Sequence, residues 1–217
     1  MDEEHSHASV DYESIPNRSN WGEEEAPVVE AINKVVDGGI WLNLAAGDGR
    51  FNNNLLARAA KVIAADNDER ALNKLLRLAP VELKNRLEIE IFNITAPLPY
   101  PDSCFDGCFC TATLYIFEPA SVKFMVSEII RVGRPGSAII VDFRTDIRRV
   151  LPDGTLYIYP EEYSYNMCEG RTLIEQCFAG QSYEISRYEK LPAPRTIGTI
   201  SYIYESQCLL ITARVKK

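Results

Sequence analysis

Histidine is nearly absent from this chain of 217 residues: His5 and His7 are the only two, both close to the amino terminus. A histidine general base is therefore not on offer from the core. Long apolar runs are absent too. No stretch reaches the roughly 18 consecutive apolar residues of a membrane-spanning helix, so no membrane partner is expected. The opening stretch MDEEHSHASVDYES lacks the basic-then-apolar layout of a secretory signal, and the expected location is the cytoplasm. Paired C-x2-C spacings are missing. Cys104, Cys108 and Cys110 follow a C-x3-C-x-C pattern, and Cys168, Cys177 and Cys208 are scattered. Zinc sites usually offer paired C-x2-C spacings, so no metal is expected and the thiols read as buried and reduced. On a strand, Cys108 and Cys110 would share one face and Phe109 the other. Excess positive charge is also lacking. The formal net charge is −8, which disfavours a phosphate-tracking surface, so no nucleic acid is expected.

Hydrophobic residues make up 46% of the chain, enough for a sizeable core. Residues 1–22 read as a flexible N-terminal segment and possible lid, and 23–217 as one domain. EEEAPVVEAINKVV has an apolar stripe near helical period, with Glu23 to Glu25 placed to favour the helix dipole. IWLNL is a short apolar strand. Phe51, Leu55, Leu56 and Ala59 repeat as a helix, KVIAAD is a second strand, and ERALNKLLRLA a second amphipathic helix stopped by Pro80. LEIEIF, FDGCFCTA and AIIVDF read as further strands, with a helix from Pro119 before the last. YEISRYEKL and SQCLLITARV form a closing antiparallel pair. Apolar strands alternating with helices predict an α/β fold: a Rossmann-like, seven-stranded, mostly parallel sheet with helices on both faces and a C-terminal antiparallel strand pair.

The stretch LNLAAGDGRF places Gly47 and Gly49 where the first strand stops and a helix starts. A tight turn alone would explain them. Ligands of open α/β sheets, however, bind at the carboxyl ends of strands, where missing side chains let the backbone approach. Asp66 ends the next strand. A carboxylate there can accept both hydroxyls of a ribose; the alternative is a helix N-cap. A dinucleotide calls for a third glycine, and that position is Asn52. Asp48 inside the turn would also repel a pyrophosphate. S-adenosylmethionine carries no phosphate, so the residues favour it over NAD.

The run from Ile40 to Phe143 resembles the class I S-adenosylmethionine-dependent methyltransferases of the small-molecule type. WLNLAAGDGRF is similar to their glycine-rich first motif, and VIAADNDERAL to their second strand with the ribose acid. NITAPLPYPDSCFDGCFC is similar to the D-x-x-x-P-L-P-F-P-D segment, and EIIRVGRPGSAIIVDF to the segment before the fifth strand. Asn43, Ala45 and Asn93 depart from the family's usual Asp, Gly and Asp or Glu. The resemblance implies S-adenosylmethionine as cofactor. Its expected contacts are Asn43, Ala45, Gly47, Gly49, Asp66, Asn67, Asn93 at the adenine amine, Ile94 at the adenine ring, and Thr111.

Tyr12, Trp21, Tyr115 and Tyr159 are candidates for the walls of a substrate pocket, each also open to ordinary packing. Segments 12–21, 111–115 and 144–163 are expected to meet over the strand ends and enclose a mostly apolar pocket. No catalytic residue is singled out, because methyl transfer to a good nucleophile can rest on positioning. The expected partner is a small-molecule substrate that the sequence leaves unnamed, as it does the oligomeric state. A binding protein that kept the pocket without catalysis is the alternative. An aminopropyl transferase is a weaker one, since TATLYIF supplies no acidic polyamine pocket.

Overall fold

The structure is a computed structural model and describes residues 10–159, 162–197 and 199–216. The histidines and the first part of the N-terminal segment lie outside the described residues. Five helices and seven strands follow in the order α1 (Ala26–Val35), β1 (Ile40–Leu44), α2 (Asn52–Arg58), β2 (Lys61–Asp66), α3 (Glu69–Leu78), β3 (Leu87–Ile91), β4 (Phe105–Cys110), α4 (Pro119–Val132), β5 (Gly133–Val150), α5 (Met167–Cys177), β6 (Ser182–Ile197) and β7 (Ile200–Arg214). The strands build one sheet in the order β3-β2-β1-β4-β5-β7-β6. The first five run parallel, and β7 pairs antiparallel with both β5 and β6.

Side-chain alternation sorts the two layers. Trp41, Val62, Ala64, Phe109 and Ile140 face Val28 and Ile32 of α1, Leu55 and Leu56 of α2, and Leu72 and Leu75 of α3. Leu42, Leu44, Cys108, Cys110, Ile139 and Val141 face Val122, Val126 and Ile129 of α4 and Leu173 and Ile174 of α5. Cys108 and Cys110 thus share a face opposite Phe109, and burial pushes both thiols up out of reach of ionisation. Among the described residues, no His, Cys, Asp and Glu cluster fits a metal ion and no helix is long and apolar enough to cross a membrane.

The motif around Glu128 and Arg131 proves to be a clamp on the proline-rich loop. Glu128 accepts from Leu98 N at 2.8 Å, while Arg131 donates to the carbonyls of Leu98 and Tyr100 and to Asp102. Arg131 also holds the Glu128 carboxyl below its ordinary range. Asp106 plays a similar part at the start of β4, accepting from Ile40 N at 2.8 Å where β1 begins.

Two expectations about element ends are corrected. Helix α1 starts after the acidic run, so Glu23 to Glu25 lie outside its first turn and Glu25 is an N-cap that makes no capping bond. The fifth strand is far longer than AIIVDF. Residues 144–150 were expected in a loop but continue β5, because the long β6–β7 hairpin supplies ladder partners past the sheet edge: Arg148 pairs with Glu205 and Val150 with Ile203. Register breaks between Thr145 and Arg148 on one side of β7 and between Lys190 and Ala193 on the other. Such bulges bend a strand and re-aim side chains.

Candidate functional site

The strand order reverses at β1, which has β2 on one side and β4 on the other. The cleft of an open α/β sheet opens at such a point, beyond the carboxyl ends of the strands. The turn that follows β1 is tightly wound. Ala45, Gly47 and Gly49 take φ of 49°, 53° and 86°. Ala45 occupies the left-handed region without the freedom of a glycine, a strain of roughly 1–2 kcal/mol. Gly49 is fixed by packing: a Cβ there would lie 2.7 Å from Leu75 Cγ of α3.

Asp66 is tied to this turn. Its Oδ2 accepts from Gly47 N at 2.8 Å and its Oδ1 from Asp68 N at 3.0 Å. Capping of α3 falls to Asp68, which accepts from Arg70 N and Ala71 N. The cap explanation for Asp66 is thereby removed. Half-buried at the end of β2, with one protein donor on each oxygen, it retains lone pairs for a ligand. Asn67 beside it is exposed, and Ile94 is buried after β3.

Asp48 is placed otherwise than its charge suggested. Its carboxylate is fully buried and pairs with the equally buried Lys74 at 3.2 Å. It also accepts from Ser19 Oγ and from Asn20 N. Lys74 reaches back to Asn20 Oδ1 at 2.5 Å. The acid in the glycine turn therefore fastens α3 and the N-terminal segment, and its charge is spent inside the protein. Repulsion of a pyrophosphate by Asp48 loses its basis. Against a dinucleotide there remains Asn52, whose Cβ lies 3.3 Å from where a Gly49 Cβ would sit.

The N-terminal segment crosses the turn. Trp21 Nε1 lies 3.0 Å from the position of a Gly47 Cβ, and Arg50 Nη1 donates to the Trp21 carbonyl at 3.2 Å. Tyr12 packs on the β2 side, its hydroxyl donating to Asp68 Oδ2 at 3.3 Å under the Arg70 guanidinium.

On the opposite side, the ends of β4 and β5 carry a charged cluster. Asp142 Oδ1 accepts from Ala112 N at 2.5 Å, fixing the left-handed turn after Thr111. Arg144, 6% exposed, lies with its guanidinium 5.7 Å from the Tyr115 ring and 5.8 Å from the Tyr204 ring. Glu25 Oε1 gathers Arg50 at 3.2 Å, Arg144 at 3.4 Å and Lys190. Burial, with the Arg144 charge adding to it, pushes the Lys190 ammonium down to about 8. Further out, Arg149 pairs with Glu162 and lies over Tyr159 and Tyr204.

Segments 111–115 and 144–163 touch where the Arg144 guanidinium lies by the Tyr115 ring, and next to them Tyr163 N donates to the Ile116 carbonyl and Tyr165 OH to the Phe117 carbonyl. The side chains gathered here are not mostly apolar: buried Arg144, Lys190 and Glu25 stand beside Tyr115 and Tyr204. Of the four wall candidates, only Tyr115 and Tyr159 belong to this side, joined through Arg144, Tyr204 and Arg149. Trp21 and Tyr12 lie over the glycine turn and the start of α3. Two cofactor candidates have protein partners of their own. Asn43 is buried on the α1–α3 face and donates to Asn52 Oδ1 at 3.5 Å. Asn93 accepts from Thr95 N and Oγ1, both at 2.9 Å, so its carbonyl closes a turn. Glu25, Arg50, Asp142, Arg144, Lys190 and Tyr204 were missed. One signal was available: an acid and an arginine, Asp142 and Arg144, at the end of an apolar strand run.

Residues 42–141 match a family model described as a methyltransferase domain. No curated protein matches the chain. Among solved structures, the YcgJ protein from Bacillus subtilis is similar over 89% of this chain and 100% of its own, with 13% identity and a TM-score of 0.65. An S-adenosylmethionine-dependent methyltransferase from Mesorhizobium loti is similar over 90% of this chain and 100% of its own, at 16% identity and TM-score 0.62. DhpI, solved with S-adenosylhomocysteine, is similar over 88% of this chain and 84% of its own, at 18% identity and TM-score 0.58. At these identities the likeness is one of fold. The matched segment, just under half of the chain, is similar to a methyltransferase domain, and the chain around it has the Rossmann-like fold of these methyltransferases.

Proposed function

We propose that the chain transfers the methyl group of S-adenosylmethionine to a small-molecule acceptor bound between Tyr115, Arg144 and Tyr204. The observation that carries this reading is the position of Asp66. It stands at the switch point, freed from helix capping by Asp68, with one oxygen fastened to Gly47 N of the turn. A carboxylate so placed fits a ribose diol, and Trp21, which fills the space beside Gly47, would border the ligand.

The cofactor would supply a methyl group activated on a sulfonium centre. Asp66 would hold the ribose, and Gly47 and Asn67 would border it. Ile94 would flank the adenine, with the Asn93 carbonyl kept for its own turn. Thr111, held by the Asp142–Ala112 bond, would form the floor towards the acceptor. Trp21 would cover the turn and keep water from it. No group in the cluster needs to serve as a base, since alignment of a nucleophile against the methyl carbon supplies much of the rate.

The test is Asp66→Ala. Loss of two charge-assisted hydrogen bonds, each worth roughly 1.5–3 kcal/mol, should weaken S-adenosylhomocysteine binding by about ten-fold or more. Unchanged affinity in a folded variant would remove the reading.

A further inference from the structure

The acceptor side of the cleft has a charge surplus, and its sign names a substrate class. Arg50, Arg144 and Lys190 converge on one carboxylate oxygen, Glu25 Oε1. The only further carboxylate against this group among the described ion pairs is Asp142, 3.8 Å from Arg144 Nε. Its oxygens are engaged by Ala112 N and by the Tyr188 hydroxyl. Three cations therefore face two anions, all of them nearly buried, with side-chain exposure of 7% for Arg50, 6% for Arg144 and 11% for Lys190. The outer pair, Arg149 with Glu162, balances itself.

The surplus is matched by unused donors. Arg144 Nε and Arg50 Nε are buried without a hydrogen-bond partner, against a single unpartnered acceptor in the cluster, Glu25 Oε2. A buried donor left unpaired costs about 1–3 kcal/mol, and a buried net charge more. Both costs fall if an anion enters. The surplus is a single charge, which suits a monoanion. A planar fork with a free Nε suits a carboxylate. Tyr115 and Tyr204 flank the same guanidinium, at 5.7 and 5.8 Å, and offer flat apolar surfaces for a ring.

From this geometry we infer that the methyl acceptor is an aromatic carboxylate, its carboxylate held by Arg144 and Lys190 and its ring between the tyrosines. The inference deepens the proposed methyl transfer and rests on it for the word acceptor. The cation pocket itself is testable without the cofactor.

The full chain is titrated with benzoate, benzamide and phenyl phosphate, each with and without saturating S-adenosylhomocysteine. Benzoate should bind at least ten-fold more tightly than benzamide and more tightly than phenyl phosphate. Lys190→Met, on the edge strand β6, leaves Glu25 paired with two arginines and should preserve the fold. It should weaken benzoate about ten-fold and leave benzamide within two-fold. Equal affinity for benzoate and benzamide, tighter binding of phenyl phosphate, or a Lys190→Met variant with undiminished preference would each overturn the inference. Failure of S-adenosylhomocysteine to bind would instead remove the methyl-transfer reading, with the cofactor-free arms still reporting on the pocket.

Discussion

Replacing Lys74 by methionine should cost about 3–5 kcal/mol of stability. The lysine ammonium and the Asp48 carboxylate are both fully buried at 3.2 Å, and methionine fills a similar volume without the charge. Asp48 would keep its bonds from Ser19 and Asn20 but would lose its only ion-pair partner among the described residues. Removal of one member of a buried pair typically costs this much, because the other charge stays behind. Against a typical total of about 5–15 kcal/mol the loss is large. With a urea slope of roughly 2–3 kcal/mol/M for a chain of this size, the midpoint should fall by about 1–2 M. The double variant Asp48→Asn, Lys74→Met removes the stranded charge and should recover a good part of the loss. The assay is equilibrium urea unfolding of the wild type and both variants, followed by circular dichroism. A single Lys74→Met variant within about 0.5 kcal/mol of wild type would refute the view that the acid of the glycine turn is an internal fastening. A double variant no better than the single would refute the stranded-charge explanation.

Gly49→Ala should destabilise by about 2 kcal/mol or more, from a φ of 86° and a Cβ only 2.7 Å from Leu75 Cγ; thermal unfolding checks it. Glu128→Gln should cost about 1–3 kcal/mol at neutral pH. The folded-state pKa of Glu128 is depressed, so its contribution is present above the ordinary carboxylate range and is lost as pH falls through the folded value. The stability gap between wild type and Glu128→Gln should therefore narrow as pH falls from neutral through the ordinary carboxylate range and below it, and a gap that does not change with acidification would contradict the clamp. For Lys190 the sign is opposite to that of a lysine gaining a favourable partner. Its folded value of about 8 lies below the ordinary 10.5, so between these pH values the unfolded chain binds more protons. Wild type should gain stability relative to Lys190→Met as pH rises from 8 to 10.5, which urea midpoints at the two ends of that window would show.

The sheet was legible because buried parallel strands read as short apolar runs, and the alternation of Cys108, Phe109 and Cys110 assigned both faces. The ends of β5 were not legible. Arg148 and Arg149 look like loop residues until the β6–β7 hairpin, more than fifty positions later, supplies ladder partners. The glycine turn and Asp66 were legible as a pair. The sequence could not separate the jobs of neighbouring residues: Asp68 rather than Asp66 caps α3, and Gly49 rather than Gly47 is fixed by core packing. Asp48 misled because its partner Lys74 lies one helix away, and a lysine on an amphipathic helix reads as solvated. The acceptor side was the least legible. Glu25, Arg50, Arg144 and Lys190 come from four separated stretches and acquire meaning only when the fold brings them to one oxygen.

The most direct test of the account is a calorimetric titration of the wild-type chain with S-adenosylhomocysteine and, separately, with NAD. The turn without a third glycine and the ribose-ready Asp66 predict saturable one-to-one binding of S-adenosylhomocysteine and no measurable binding of NAD at the same concentrations. Tighter binding of NAD, or no binding of S-adenosylhomocysteine to the folded protein, would contradict it.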